Sequence, residues 1–211
     1  VTSADPATPA SRPGRRADAE RNRAAIIEAA GQVFAEHGGG VDVREIARRS
    51  GVGMGTLYRH FPTKDQLLNT VLEQQFDAWL TAAHQQAMAT ADPWRALAGF
   101  FEQLLADHAG NRAVVESYTA TGGPSLSCIQ RCYDCIDQLR TRCADAGVLR
   151  PGITTDDLFQ LSGALSQAVL TTAESHPGQW RRLLRISLDG LKSRNTDPLP
   201  EYGTATPQPR F

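Results

Sequence analysis

The chain has 211 residues, 41% of them apolar, and its 22 basic and 23 acidic residues leave a formal charge of −1. That apolar content supports a packed core and excludes overall disorder, while the charge balance excludes a uniformly basic nucleic-acid coat and an acidic solvating tail. No stretch approaches the ~20 apolar residues of a membrane helix, the N-terminus lacks the apolar run of a secretory signal, and four cysteines do not make a disulfide scaffold, so a cytoplasmic protein with no membrane partner is expected.

Residues 1–17 hold Pro6, Pro9 and Pro13 with Arg12, Arg15 and Arg16, a composition that predicts a flexible basic arm. Ile26, Ile27, Ala30, Val33 and Phe34 then recur at helical spacing, and the run Gly38-Gly39-Gly40 offers a C-terminal cap. Asp42 caps a short second helix, with Glu45 three residues on in capping-box position, and that helix stops near Ser50-Gly51. A third, from about Met54 to His60, stops before Pro62. Thr63 and Gln66 form a second capping-box signature, opening a long helix with Leu68, Val71, Leu72, Phe76 and Trp79 on one face.

Asp92-Pro93 supplies an N-cap and first-turn proline for a helix bearing Trp94, Leu97, Phe101, Leu104 and Leu105. A short segment around Val114 to Tyr118 precedes the breaker Gly122-Gly123-Pro124. Three longer helices follow, at about 125–146, 155–175 and 178–193. Residues 195–211 hold four prolines and little apolar content, and read as a disordered tail. No convincing period-2 strand appears, so the expected class is all-α, with about nine helices. The expected division is an arm (1–17), a DNA-reading domain (18–64), a ligand-binding and dimerisation domain (65–194) and the tail (195–211).

Charge is divided unevenly. Residues 1–64 carry ten basic and seven acidic side chains, net +3, whereas residues 65–211 carry twelve and sixteen, net −4. The asymmetry points to an anionic partner for the first part alone.

Val43 to Phe61 reads as a helix-turn-helix. Ala47 is small enough for two helices to cross, and Gly51 suits a left-handed turn. Val43, Ile46, Val52 and Leu57 can fill the core between these helices and the first. The second short helix is left to present Met54, Thr56, Tyr58 and Arg59 outward, as a recognition helix does in a major groove.

These residues resemble the DNA-binding domain of the TetR/AcrR family of bacterial regulators. The resemblance rests on I-I-x-A-A-x-x-V-F in the first helix, V-R-E-I-A, S-G-V, and above all G-T-L-Y-R-H-F-x-x-K-D-x-L-L, over about residues 20–72. Gly53 departs from it by standing where a polar residue usually caps the recognition helix. The resemblance implies a homodimeric, ligand-responsive transcription factor, usually a repressor. Carried over, it places Met54 and Gly55 facing base edges, Thr56 and Tyr58 near the operator, Tyr58 and His60 on phosphates, and Lys64 on the backbone from the start of the fourth helix. Arg59 suits guanine or a phosphate. Arg44 joins this set, and Arg15 and Arg16 suit a flanking minor groove.

In the family the middle helices enclose a ligand pocket, and the last two long helices pair with those of a second copy. Trp79, Phe101, Tyr118, Cys132 and Phe159 are the candidates for an unidentified, mostly apolar effector. Leu158, Leu161, Leu165, Ala168, Val169, Thr172, Leu184, Leu188 and Leu191 are the candidates for the dimer interface. Cys128, Cys132, Cys135 and Cys143 fall in one stripe of a single helix. Core or pocket lining is the expected role, with a thiol-based redox or metal sensor as the alternative. No spacing calls for a cofactor, a metal or a catalytic triad, and no enzymatic activity is expected.

Overall fold

The computed structural model describes residues 13–37, 41–111 and 124–201, with side chains from residue 16 onward. The expected glycine cap at 38–40 and the segment around Val114 to Tyr118 lie outside the described residues. The described residues form eight helices and no strand, with one isolated antiparallel bridge between Leu149 and Lys192. The fold is all-α. The helices are α1 (Pro13–His37), α2 (Val43–Ser50), α3 (Met54–His60), α4 (Lys64–Ala89), α5 (Pro93–Gly110), α6 (Leu126–Asp145), α7 (Thr155–Thr172) and α8 (Gln179–Gly190). They divide into two compact units, one from the chain up to Phe76 and the other mainly from Asp77 onward.

The first unit is built on α1. Its second half buries Ile26, Ile27, Ala30, Val33 and Phe34 against Ile46, Ala47, Leu57, Phe61, Leu67, Leu68, Val71 and Leu72. Each fully buried Ile, Leu or Phe stabilises the fold by ~1.5–3 kcal/mol relative to exposure. The helix begins at Pro13, so residues 13–17 are helical where the composition suggested an arm. The reason is local. Pro13 has the fixed φ of a first-turn residue, and the Arg and Ala that follow are good helix formers.

The second unit packs α6, α7 and α8 around α5. Leu97, Phe100, Phe101, Leu104 and Leu105 of α5 are buried, with Phe100 and Phe101 edge to face at 6.3 Å. Asp92 caps α5 by accepting from the Arg95 N–H at 3.0 Å. Thr154 and Asp157 form a reciprocal capping box at the start of α7. Arg142 of α6 donates to the carbonyls of Ala87 at 3.1 Å and Thr90 at 2.9 Å, satisfying groups that the end of α4 leaves open.

After α8 the chain returns along the α6–α7 link. The Arg150 N–H donates to Leu191 O at 2.8 Å, and the Ser193 N–H to Val148 O at 3.1 Å. The Arg150 guanidinium also donates to the Asp197 carbonyl, and Leu199 lies against Gly152. The first residues of the expected disordered tail therefore have named partners here. Their anchor is a charged side chain from a distant link, which a local composition cannot reveal.

Candidate nucleic-acid interface

The helix-turn-helix follows from a few local choices. Asp42 caps α2 by accepting from the Arg44 N–H at 2.9 Å. Gly51 ends the helix at φ 70°, in the left-handed region that glycine adopts without penalty, and its N–H reaches back to the Arg48 carbonyl at 3.4 Å. Ala47 is buried at the crossing of α1, α2 and α3, where a larger side chain would hold the helices apart.

Glu45 does not complete a capping box. Its carboxylate instead accepts from Arg48 at 2.7 Å and Arg49 at 2.8 Å, and Arg49 also reaches Glu36 on α1 at 2.7 Å. These two hydrogen-bonding guanidiniums hold the Glu45 carboxyl down at about 2. Arg48 and Arg49 are thus spent on tying α2 to itself and to α1. The spacing of Glu45 and Arg49 allowed that pairing to be read from sequence, but the link to Glu36, thirteen residues away, did not show there.

On α3, Leu57 is only 1% exposed and Phe61, at its end, is buried, while Tyr58 is 47% exposed. Gly55 and Arg59 are also exposed, and Thr56 and His60 are half-buried. The His60 ring lies 6.5 Å from that of Phe61. Met54 is half-buried and packs against the core cluster: at the first turn of so short a helix, an apolar side chain is drawn to the core.

Lys64 is half-buried, and its Nζ donates to the Val41 carbonyl at 2.6 Å. The ammonium expected on phosphate is engaged inside the domain. Arg23, which the sequence reading passed over, lies over the Phe61 ring with its guanidinium carbon 5.3 Å from the centroid. Arg16 is exposed and pairs with Glu20 at 3.7 Å, while the side chain of Arg15 lies outside the described residues. Arg44 and Arg59 are exposed, and no carboxylate partner is found for either among the described residues. Exposed guanidiniums on α2 and α3 and an exposed tyrosine on α3 are side chains suited to phosphates and base edges.

In the second unit, Trp79 and Phe159 are half-buried, whereas Phe101 and Cys132 are buried. Trp79 lies 6.3 Å from Phe100 and Phe159 lies 5.8 Å from Tyr133, so the aromatics fall into two separate pairings. Tyr118 lies outside the described residues. His108 and Ser166 meet at 2.9 Å, and burial pushes the imidazole below its ordinary pKa. Two buried polar atoms, His84 Nε2 and Trp180 Nε1, have no hydrogen-bond partner among the described residues. None of these polar positions carried a periodic signal.

Among the dimer candidates, Leu158, Leu165, Val169, Leu184, Leu188 and Leu191 are buried within their own chain, and only Leu161, Ala168 and Thr172 keep partial exposure. Helical periodicity finds the most apolar face, and a helix spends that face on its own core first. Cys128, Cys132 and Cys143 are likewise buried, and Cys135 is half-buried. Burial pushes the Cys132 thiol up to about 12 and that of Cys143 up to about 11, and the latter donates to the Pro93 carbonyl at 3.1 Å. Such thiols hold little of the thiolate that redox chemistry and metal binding require.

Comparison with known proteins agrees with this architecture. Residues 26–71 match the family model for bacterial regulatory proteins of the tetR family, and residues 92–193 match a model for the C-terminal domain of SbtR-like transcriptional regulators. An HTH-type transcriptional regulator of Staphylococcus aureus is 42% identical over 67 residues, which are 31% of this chain and 36% of that protein. The match therefore spans little more than a third of such curated relatives. The crystal structure of the TetR transcription regulatory protein from Mycobacterium vanbaalenii is 30% identical, covering 84% of this chain and 99% of that one with a TM-score of 0.52. The complex of RolR with resorcinol shares the fold at 22% identity, covering 90% of this chain and all of that one with a TM-score of 0.62. With its helix-turn-helix, its helical second unit and a relative at 30% identity over nearly its full length, the chain belongs to the TetR family of DNA-binding transcriptional regulators.

Proposed function

We propose that the protein is a repressor that binds a pseudo-palindromic operator as a homodimer and is released when a small molecule occupies the second unit. The observation that carries this reading is the division of α3. Leu57 and Phe61 lock one side into the core, and Tyr58 and Arg59 stand free on the other. Residues 18–64 read DNA, with Arg59 the candidate for base contact and Arg44, Tyr58 and His60 for phosphates. Residues 65–194 carry the effector and the partner subunit.

With most apolar positions of α7 and α8 spent internally, the dimer face moves to what remains exposed. On α7 these are Gln160, Gly163, Ala164, Gln167 and Thr171, flanked by half-buried Leu161 and Ala168. On α8 it is Ile186, which is 58% exposed. Small side chains on α7 let two helices approach closely, and the exposed isoleucine on α8 supplies apolar area. A protein of this fold has been crystallised with resorcinol, which supports a small-molecule effector. The coupling is reciprocal, so operator and effector weaken one another by the same factor.

Selection of duplexes from a random pool, followed by footprinting, tests the DNA reading. A protected palindrome with half-sites about 34–36 Å apart, or a multiple of that, is expected. Arg59→Ala should relax base preference at one position per half-site. A protein that selects no sequence would overturn the reading. Sedimentation of Ala164→Arg and Ile186→Glu tests the dimer, and variants that remain dimeric would remove this face from consideration.

A further inference from the structure

We propose that Lys64 is a positioning residue for DNA recognition: its ammonium holds the start of α4 to the start of α2, and so sets how α3 is presented. The proposal rests on the DNA-reading role of α3. That helix has seven residues, far short of the ~12–15 at which an isolated helix becomes even marginal in water. Gly53 at its N-cap supplies no side-chain hydrogen bond, and Leu57 is its one buried residue. What fixes its direction must come from the segments on either side.

Lys64 joins those segments. Its Nζ donates to Val41 O at 2.6 Å, closing an interval of 23 residues that contains α2, the turn and α3. Both ends of the bracket are anchored. Val41 is buried, as is Leu67, one turn beyond Lys64 on α4. Arg23, lying over Phe61, adds a contact at the far end of α3.

The electrostatics of Lys64 favour this arrangement. A cation on the first residue of a helix opposes the helix dipole, so it needs an acceptor close by. The Val41 carbonyl supplies one that α2 does not use, because the capping carbonyl of α2 belongs to Asp42. A phosphate contact and a positioning role predict different salt dependences. Removing a phosphate contact reduces the slope of log affinity against log salt by about one per contact. Removing a brace leaves the number of neutralised phosphates unchanged.

The test uses the full chain, a duplex selected by the wild type from a random pool, and a scrambled duplex of equal length. Affinities of wild type and Lys64→Met are measured by fluorescence anisotropy between 50 and 200 mM salt, a range of about fourfold chosen to resolve the slope. Circular dichroism checks that each protein is folded. Lys64→Met is expected to lose about tenfold or more on the selected duplex and less than about twofold on the scrambled one, with the salt slope unchanged. Lys64→Gln keeps a neutral donor toward Val41. It should recover part of the loss, and it carries the same comparison if methionine impairs folding. Equal losses on both duplexes with a slope lower by about one per protomer would overturn the proposal in favour of a phosphate contact. Unchanged affinity of a folded but less stable variant would overturn it in favour of a purely structural role.

Discussion

Two glycines flank the turn of the helix-turn-helix, and they should respond to substitution with opposite signs. Gly53 sits at φ −71° and ψ 150°, extended backbone that any residue adopts, and it caps α3 without a side-chain hydrogen bond. Gly51 sits at φ 70°. A Cβ at either position meets nothing within 4 Å, so sterics decide neither case. At Gly53 a serine hydroxyl gains a few tenths of a kcal/mol over glycine as an N-cap. Restricting the unfolded chain adds about 0.4–1 kcal/mol, for a net stabilisation of roughly 0.6–1.4 kcal/mol. At Gly51 an alanine costs ~1–2 kcal/mol for left-handed backbone, offset by a similar unfolded-state gain, for a net loss of about 1 kcal/mol. Urea denaturation followed by circular dichroism should show the midpoint of Gly53→Ser rising and that of Gly51→Ala falling, with slopes unchanged. Melting temperatures should move by ~2–4 °C per kcal/mol for a chain of this size. Shifts of the same sign, or a Gly51→Ala protein as stable as wild type, would refute the backbone assignments and the reasoning from them.

Other expectations follow from packing and charge. Leu57→Ala should destabilise the first unit by about 2–5 kcal/mol, because it removes the one buried side chain of α3, and a midpoint within experimental error of wild type would contradict the core assignment. In the native protein at pH 7.5, iodoacetamide should label Cys135 well before Cys132 or Cys143: burial pushes all three thiols up, but Cys135 alone of them is half-exposed, and Cys132 and Cys143 are raised to about 12 and about 11; mass spectrometry of timed samples checks the order. Glu45, whose carboxyl is held down at about 2 in the folded state, contributes stability that is fully present above its unfolded value of about 4.3 and lost as the pH falls toward 2. The stability difference between wild type and Glu45→Gln should therefore shrink across that window, and high salt should shrink it too, because the pairs are exposed. Arg142→Met should loosen the end of α4, seen as faster amide exchange after about Ala87, where Arg142 now satisfies the final carbonyls.

Much of the fold was legible because the signals are local. The starts of two helices are written in the residues just before or at their first turn: Asp42 before α2 and Asp92-Pro93 before α5. The turn at Gly51 and the inward positions Ile46 and Leu57 also follow from spacing alone, since residues three or four apart share a helical face. The motif around Tyr58, read residue by residue, was enough to name the family.

The amino-acid sequence by itself determined the helical class, the placement of the helix-turn-helix and the outward position of Tyr58 and Arg59 on α3. Only the tertiary structure decided how each competent group is used. Periodicity showed Leu158, Leu165 and Leu188 on apolar faces, but whether such a face meets its own core or a second copy depends on helices remote in the chain. The resemblance placed Lys64 on the DNA backbone, yet the Val41 carbonyl engages its ammonium, and only packing brings Arg49 to Glu36. An ion pair or a buried hydrogen bond forms between groups within a few ångströms of each other, and separation along the chain carries almost no information about that distance until the helices have packed.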